Sequence, residues 1–429
     1  RDPPMPWLRN LVYLLLIVLV LPKLIYSALR HGKYRQGFAE KFLGLVPRTQ
    51  IDASKRCIWF HAVSVGEVNL LQTLIYEIEQ RNPQCHCVIS TTTRTGYELA
   101  REKYAPRTVF YCPLDFSWAI KSALRRIQPN LLVLVELELW PNLIHFATKQ
   151  TKVVVVNGRL SENSTRGYRR LGFIIKSTVR QLDHIAVQNN EYYQRFLSIG
   201  ATTAQLTITG SIKFDGAQAD RKNEQTVELQ RLAGISATDF VIVAGSTQVE
   251  EEEISLQVVQ QLIPNIPQLK LVIVPRHPER FDDVARAIEQ TGLLTRRRST
   301  IIKPVDPSTK VILVDAVGEL GAWWGLADIG FVGGSMGKRG GQNMIEPAAY
   351  GVAVCFGPNT INFRDIVEML LADDAAQVVH DHSEFEQFVL AAIKDPTTAN
   401  QMGQRAKLLV HAQQGATTRS VDILFSLLD

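Results

Sequence analysis

Short apolar runs alternate with segments of helical periodicity along most of the chain, and this alternation limits the possible folds more than any other feature. The apolar runs form two series with a restart after Gly210, at 57–63, 86–91, 131–136, 153–157 and 184–188, then at 240–244, 270–274, 311–314, 328–332 and 352–355. Helical periods fill the intervals, at 67–81, 95–103, 117–127 and 190–199, then at 250–263, 279–290, 318–325, 343–350, 384–394 and 398–428. This order predicts parallel sheets. The 429 residues suffice for two cores, so we predict an α/β protein of two doubly wound, Rossmann-like domains that face a cleft, at 31–208 and 209–429.

The most apolar stretch lies near the start, and residues 11–22 carry no charge. We predict a membrane-anchor helix within residues 1–30, although Pro22 and Lys23 make it marginal as a span of about 20 residues. A basic cluster follows, which places the domains after it on the cytoplasmic side and attracts anionic lipid: Arg30, His31, Lys33, Arg35 and Lys41. A buried N-terminal helix is the alternative, and a helix lying in the membrane interface is a third arrangement.

Composition excludes several classes of protein. The net charge of +5 is too small to indicate a nucleic-acid partner. The five cysteines are scattered, as is typical of a reducing compartment. Cys85-His86-Cys87 lacks a second pair of ligands, so we interpret it as part of a strand and predict no metal site.

The segment 58–71 joins a predicted strand to a predicted helix through Gly66. In parallel α/β sheets, such turns lie at the carboxyl ends of the strands, where ligands bind. Glu67 falls in the first helical turn and is a candidate general base. It also completes a capping box with Ser64, and both interpretations stay open from this segment alone.

Charged residues follow two further predicted strands of the first half, and one lies near its boundary with the second half. Glu136 and Glu138 end one apolar run, and side-chain alternation would direct both to the same side if the strand continues. An edge acid followed by a Trp-Pro turn is the alternative. A basic segment of four arginines suits phosphate recognition or forms a solvated helix face: Arg159, Arg166, Arg169 and Arg170. Lys213, near the domain boundary, neutralises developing negative charge or belongs to a hinge.

The second half places small or glycine-rich loops after several strands. Ser246 and Thr247 open an acidic helix, Pro275 and Arg276 follow the next strand, and Gly334 and Ser335 follow a later one. Such loops allow close approach of a phosphate or nucleotide, and Glu346 suits the hydroxyl groups of a ribose. Neither Walker A spacing nor a G-x-G-x-x-G motif after the first strand is present, which argues against ATPase and dehydrogenase functions.

In combination, seven motifs resemble the 3-deoxy-D-manno-octulosonic acid (Kdo) transferases of lipopolysaccharide synthesis, which are membrane-associated glycosyltransferases of GT-B fold. They are HAVSVGE, ELELWPN, NGRLS, GSIKFD, PRHPER, GGSMGKRGGQNMIEPA and INF, and together with the apolar N-terminus they span nearly the whole chain. The resemblance implies a CMP-Kdo donor, a lipid A precursor (lipid IVA) as acceptor, inversion at the anomeric carbon and no metal or other cofactor. It also implies the cytoplasmic face of the inner membrane as the location, with membrane lipids as partners.

The resemblance also implies roles for individual residues. Glu67 matches the general base, and Lys213 with Glu136 or Glu138 matches the groups that stabilise the transition state. Nine residues match the contacts to CMP: Pro275, Arg276, Gly318, Glu319, Leu320, Asn343, Met344, Ile345 and Glu346. Further candidate donor contacts are Ser246, Thr247, Gly334 and Ser335, and the four arginines are candidates for the acceptor phosphates.

The chain departs from the family pattern at three positions. Gln248 and Asn359 stand where histidine is common, and Gly158 stands for a usual alanine, which bears on donor binding rather than on Glu67. A different GT-B enzyme, such as an epimerase or a glycerol-phosphate transferase, is one alternative, although an epimerase would not need an anchor. A membrane-tethered binder without catalysis is the other, and the presence of Glu67, Lys213 and Arg276 counts against it.

Overall fold

The computed structural model describes residues 6–15, 19, 36–49 and 55–428. The chain divides into two compact domains: the first extends to Asp215 and includes the residues from Gln414 onward, and the second is Gly216–Gln413. Each domain is built on a parallel sheet covered by helices, which confirms the predicted α/β class. The predicted boundary after residue 208 falls seven residues early, and residues 414–428 belong to the first domain rather than to the second.

The first sheet has the strand order β3-β2-β1-β4-β5-β6-β7. Because β1 lies between β2 and β4, with parallel register such as Phe60 beside Val133, the connections diverge there and leave a crevice at the carboxyl ends of β1 and β4. Its strands are β1 Arg56–His61, β2 Cys85–Thr91, β3 Val109–Tyr111, β4 Leu131–Val135, β5 Lys152–Gly158, β6 His184–Val187 and β7 Leu206–Ile208.

Helices cover both faces of this sheet, and side chains alternate between two apolar clusters. Trp59 and Leu132 enter one cluster, whereas Phe60 and Val133 enter the other. The helices are Phe38–Leu43, Val65–Arg81, Arg94–Tyr104, Ser117–Ile127, Pro141–Ala147, Glu162–Arg170, Phe173–Val179, Asn190–Ser198 and Ala416–Leu428, with 3-10 turns at Thr203–Gln205 and Ile212–Phe214.

The second sheet has the order β10-β11-β9-β8-β12-β13-β14, so its own divergence point lies between β8 and β12. Its strands are β8 Phe240–Thr247, β9 Leu269–Pro275, β10 Thr295–Arg297, β11 Val311–Leu313, β12 Ile329–Val332, β13 Ala353–Phe356 and β14 Ala376–Val378. The helices are Glu224–Leu232, Val249–Leu262, Phe281–Gln290, Leu320–Trp324, Ile345–Ala349, Arg364–Ala372, His382–Lys394 and Pro396–Gln413, with 3-10 turns at Pro278–Arg280, Arg298–Thr300 and Ile361–Phe363.

The single helix predicted over 398–428 is wrong, because Gly415 adopts a left-handed φ of 90° and separates two helices. The second of them, Ala416–Leu428, buries Val421 and Leu424 in the core of the first domain. Burial of this apolar stripe explains why the chain returns to the first domain.

The described part of the predicted anchor is helical at residues 6–15 and at 19. Its polar side chains bind the first domain: Arg9 donates to the Pro141 carbonyl oxygen at 3.0 Å, and Tyr13 donates to Asp115 at 2.9 Å. Its apolar side chains are exposed, with Trp7 at 61% and Leu15 at 57%. Residues 1–5, 16–18 and 20–30, and the basic residues up to Arg35, lie outside the described residues. Within the part that the structure describes, no helix combines the length and apolar character that crossing a membrane requires.

Candidate active site

Glu67 lies at the carboxyl end of β1, in the first turn of the helix Val65–Arg81. Its carboxylate accepts hydrogen bonds from the Val63 N–H and from the Ser64 hydroxyl, each at 2.8 Å, and Ser64 caps the helix. The capping interaction predicted from the sequence is therefore present. Burial raises the pKa of Glu67, and the nearby Glu136 charge adds to this effect, as a general base near neutral pH requires.

Glu136 and Glu138 follow β4, the strand beside β1. The strand ends at Val135 and Glu136 has a φ of 60°, so the expected period-2 continuation through both acids is wrong. The Glu136 carboxylate instead lies 3.6 Å from Lys213 Nζ. Glu138 Oε2 accepts from Trp140 Nε1 at 2.6 Å and lies 3.8 Å from His61 Nε2. The backbone turn thus gives the two acids different partners.

These three acids influence one another electrostatically. Burial raises the pKa of Glu138 to about 7, and the charges of Glu67 and Glu136 contribute to the increase. Glu138 therefore exchanges its proton near neutral pH, whereas Glu136 has the Lys213 ammonium as its partner. An acid that titrates near neutrality beside a lysine-paired acid and a buried candidate base is typical of a catalytic site.

Lys213 is positioned by the backbone around it. The 3-10 turn Ile212–Phe214 is held at one end by Asn157, whose side-chain oxygen accepts from the Ile212 N–H at 3.0 Å. At the other end, the Asp215 carboxylate accepts from the N–H groups of Gly415, at 2.6 Å, and Thr417. Sequence reasoning assigned no role to Asn157, Asp215 or His61, although all three lie in the motifs NGRLS, GSIKFD and HAVSVGE.

The predicted phosphate-binding arginines lie in or just before one short helix, Glu162–Arg170. Arg166, Arg169 and Arg170 are exposed, as the solvated-face interpretation requires, and Arg166 donates to Asn163 Oδ1 at 2.6 Å. Arg159 precedes the helix and is half-buried. Tyr168 on this helix is half-buried, and its burial, with a contribution from the charge of Glu138, raises the pKa of Tyr168. The basic helix therefore lies next to the cluster of acids.

In the second domain, Glu251 binds the loop after β12. Its buried carboxylate accepts from the N–H groups of Gly334 and Ser335, each at 2.8 Å, and of Met336 at 3.0 Å. The backbone N–H groups of Gly334 and Ser335, two candidate donor contacts, therefore already donate to Glu251. A contact between either residue and the donor requires other atoms of that residue. Thr247 is likewise engaged, since its hydroxyl donates to Glu252 at 2.9 Å, whereas Ser246 adopts a φ of 57° at the same strand end.

The predicted CMP contacts lie at the carboxyl ends of β9, β11 and β12, in the loops there and in the first residues of the helices that follow β11 and β12. Arg276 is exposed directly after β9. Glu319, beside Gly318 and Leu320, accepts from Arg298 Nε at 2.8 Å. Glu346 accepts from Asn343 Nδ2 at 2.9 Å, and burial raises the pKa of Glu346. These loops form one edge of the second sheet, as predicted.

Two of the three departures from the family pattern, Gln248 and Asn359, have structural roles. Gln248 is the N-cap of the helix Val249–Leu262 and forms a capping box with Glu251. Asn359 donates its side-chain amide to the Met336 carbonyl oxygen at 2.8 Å and its backbone N–H to the Ser335 carbonyl oxygen at 2.8 Å. Both residues therefore support the loop that Glu251 holds. Over the described ranges, the structure groups no three His, Cys, Asp or Glu side chains as a metal site would.

Two parallel-sheet domains, each with its candidate residues at the carboxyl edge, define a GT-B-like class of enzyme. A solved structure of UDP-GlcNAc 2-epimerase from Neisseria meningitidis has this fold, with a TM-score of 0.57 at 14% identity over 87% of this chain and 100% of that one.

Sequence comparison narrows the class to a family. Residues 34–216 match the family model of 3-deoxy-D-manno-octulosonic-acid transferase (kdotransferase). The 3-deoxy-D-manno-octulosonic acid transferase of Haemophilus influenzae is 33% identical over 401 residues, which cover 92% of each chain. That of Bordetella pertussis is 31% identical over 86% of each chain. The chain therefore belongs to the Kdo transferase family, whose members are glycosyltransferases of lipopolysaccharide biosynthesis.

Proposed function

We propose that this protein transfers Kdo from CMP-Kdo to a lipid A precursor, lipid IVA, with inversion at the anomeric carbon and without a metal ion or other cofactor. The observation that carries the proposal is the fixed Glu67 carboxylate, which lies at the β1–β4 divergence point beside two further acids and Lys213. Family membership supports the chemistry of Kdo transfer.

Glu67 is the general base in this proposal. The Val63 N–H and the Ser64 hydroxyl each occupy one lone pair of the carboxylate, which fixes its orientation and leaves other lone pairs for the acceptor. As the acceptor oxygen bonds to the anomeric carbon, its proton passes to Glu67 and the bond between that carbon and the CMP phosphate breaks. A positioned base of this kind accelerates a reaction roughly 100- to 10,000-fold.

The leaving group is a phosphate monoester, so its charge needs cations and hydrogen-bond donors. Arg276 is exposed at the end of β9 and supplies the cation. Glu346 and Asn343 form a hydrogen-bonded pair suited to the ribose hydroxyl groups. Lys213 offsets the negative charge of the acids around Glu67, which would otherwise repel an anionic donor.

The acceptor is a phosphorylated lipid, and two surfaces of the first domain suit it. The exposed arginines at 166, 169 and 170 suit its phosphates. The apolar side of the helical segment 6–15 suits contact with the inner membrane at its cytoplasmic face. Both surfaces belong to the domain that carries Glu67, as an acceptor-binding domain requires.

The test is CMP release by the full chain from CMP-Kdo and lipid IVA in mixed micelles, with Glu67→Gln as the variant. The glutamine oxygen accepts from the Val63 N–H and its NH2 group donates to the Ser64 hydroxyl oxygen, but the amide cannot take a proton, so transfer should fall roughly 100- to 10,000-fold with unchanged thermal unfolding. Glu77→Gln, on the same helix but paired with Arg81, is the matched control and should retain activity. Near-normal transfer by Glu67→Gln would limit Glu67 to capping, and no CMP release by the wild type would refute the function.

A further inference from the structure

A buried chain of three polar side chains lies beneath Glu138. Trp59 and His61 extend from β1 and Ser90 from the neighbouring β2, and all three are fully buried. Trp59 Nε1 donates to Ser90 Oγ at 2.7 Å, and His61 Nδ1 lies 2.9 Å from the same oxygen. The ring of His61 is thereby held at its Nδ1 side.

The hydrogen-bonding capacity of these groups determines which nitrogen of His61 carries the proton. The indole N–H can only donate, so it takes one lone pair of Ser90 Oγ. The single hydroxyl proton of Ser90 then has three candidate acceptors, which are His61 Nδ1 at 2.9 Å, the Phe60 carbonyl oxygen at 3.4 Å and the Cys112 thiol. The short contact of 2.9 Å makes Nδ1 the acceptor and leaves the proton on Nε2. Burial lowers the pKa of His61 to about 4, so the ring is neutral and has this one N–H group.

His61 Nε2 faces Glu138. It is a buried atom without a hydrogen bond, and it lies 3.8 Å from Glu138 Oε2. An unpartnered N–H group costs free energy in the interior, and the carboxylate is the acceptor placed to satisfy it. The other titratable groups that influence Glu138 are acidic: Glu136 lies in the same loop, and Glu67, Tyr168 and Cys112 come from three other parts of the first domain, with Lys213 paired to Glu136.

We propose that His61 is a positioning residue that directs its Nε2–H at Glu138 and favours the ionised form of that carboxylate in a site crowded with other acids. Trp59 and Ser90 fix the tautomer, so the chain Trp59–Ser90–His61 acts as one unit. Only the role of Glu138 in transfer rests on the proposed function; the hydrogen-bond chain and its effect on Glu138 do not.

The expected effect has a definite sign. A donor to the ionised form lowers a carboxyl pKa, so loss of the His61 N–H must raise the pKa of Glu138, which burial and the neighbouring acids already raise. A hydrogen bond to a charged group corresponds to a shift of about one pKa unit. As the pH falls, Glu138 would then lose its ionised form at a higher pH than in the wild type. The acidic limb of the pH–rate profile for transfer would shift to higher pH by the same amount.

The test is a ¹³C NMR titration of glutamate carboxyl carbons, in which Glu138→Gln identifies the Glu138 resonance. His61→Leu removes the donor and should raise the pKa of Glu138 by about one unit. His61→Gln is the matched variant, because its amide nitrogen reaches the position of Nε2, and it should titrate as the wild type does. Ser90→Ala removes the hydroxyl group that keeps the His61 proton on Nε2, so it should shift the pKa of Glu138 in the same direction. This variant provides a second test if His61→Leu does not fold.

The titration needs no substrate, so the two proposals fail separately. An unchanged Glu138 titration in both His61→Leu and Ser90→Ala would overturn the role of His61, whatever the enzyme transfers. A shifted titration in a protein that releases no CMP from CMP-Kdo would support the role of His61 and refute the proposed function. With transfer present, a shifted acidic limb in His61→Leu that His61→Gln restores would support both.

Discussion

Side chains that bind backbone N–H groups hold the candidate residues of both domains in place. Glu67 binds the Val63 N–H, Asn157 binds Ile212, Asp215 binds Gly415, and Glu251 binds three successive residues from Gly334. Hydrogen bonds from backbone N–H groups to ionised carboxylates are stronger than those to neutral acceptors such as Asn157, and each of the four side chains fixes a loop that carries candidate residues. None of them except the Glu67 cap is readable from the sequence, because the partners are distant in the chain.

At this scale we predict that Arg276→Ala and Glu346→Ala each weaken the binding of CMP. Removing one charged hydrogen bond costs about 1.5–3 kcal/mol, which corresponds to a roughly 10- to 150-fold higher Kd in isothermal titration calorimetry. Arg286→Ala is the control, since Arg286 is exposed on the helix Phe281–Gln290 and pairs with Asp283. Unchanged CMP affinity in both test variants would place the donor site elsewhere on the protein.

At the scale of elements, the sequence predicts the central strands correctly and misses four strands. The missed strands are β3, β7, β10 and β14, which are the outermost strands of the two sheets and have three residues each. Central parallel strands are buried on both faces and form continuous apolar runs, whereas an edge strand such as Thr295–Arg297 contains none. The two acids after β4 show a further limit, because alternation does not reveal that Glu136 leaves the strand with a positive φ.

Asp215 joins the turn that bears Lys213 to the start of the helix Ala416–Leu428. Asp215 accepts from the N–H groups of Gly415 and Thr417, so Asp215→Ala should remove a cap worth about 0.5–2 kcal/mol of unfolding free energy. The loop with Lys213 would also lose its anchor, and transfer should fall while CMP affinity, which the proposed function assigns to the second domain, stays constant. Denaturant unfolding, the transfer assay and calorimetry measure the three quantities.

Asp422→Ala provides the comparison, because Asp422 lies on the same helix and forms an exposed ion pair with Arg81. Exposed pairs contribute about 0–1 kcal/mol, so this variant should lose little stability and no activity. If Asp215→Ala behaved like Asp422→Ala, the anchoring of Lys213 by the terminal helix would be refuted.

For the whole molecule, the exposed apolar side of residues 6–15 predicts dependence on a membrane. The double variant Leu11→Asp, Leu15→Asp places charges on that side and leaves the contacts of Arg9 and Tyr13 with the first domain intact. It should sediment less with anionic vesicles and turn over vesicle-embedded acceptor more slowly, with unchanged CMP affinity. Turnover of acceptor in detergent micelles is the control. Equal vesicle binding by wild type and variant would assign these leucines a purely structural role.

The return of residues 414–428 to the first domain has a consequence for synthesis on the ribosome. The second domain is contiguous in sequence and can fold as soon as Gln413 has emerged, whereas the first domain waits for residues that are made afterwards. At about 5–20 residues per second, the interval between Asp215 and Gln414 lasts roughly 10 to 40 seconds. Throughout that interval the apolar site for Val421 and Leu424 is uncovered and the turn that bears Lys213 lacks its clamp, so the half of the nascent chain with the candidate active site is the one that leaves core surface exposed to aggregation.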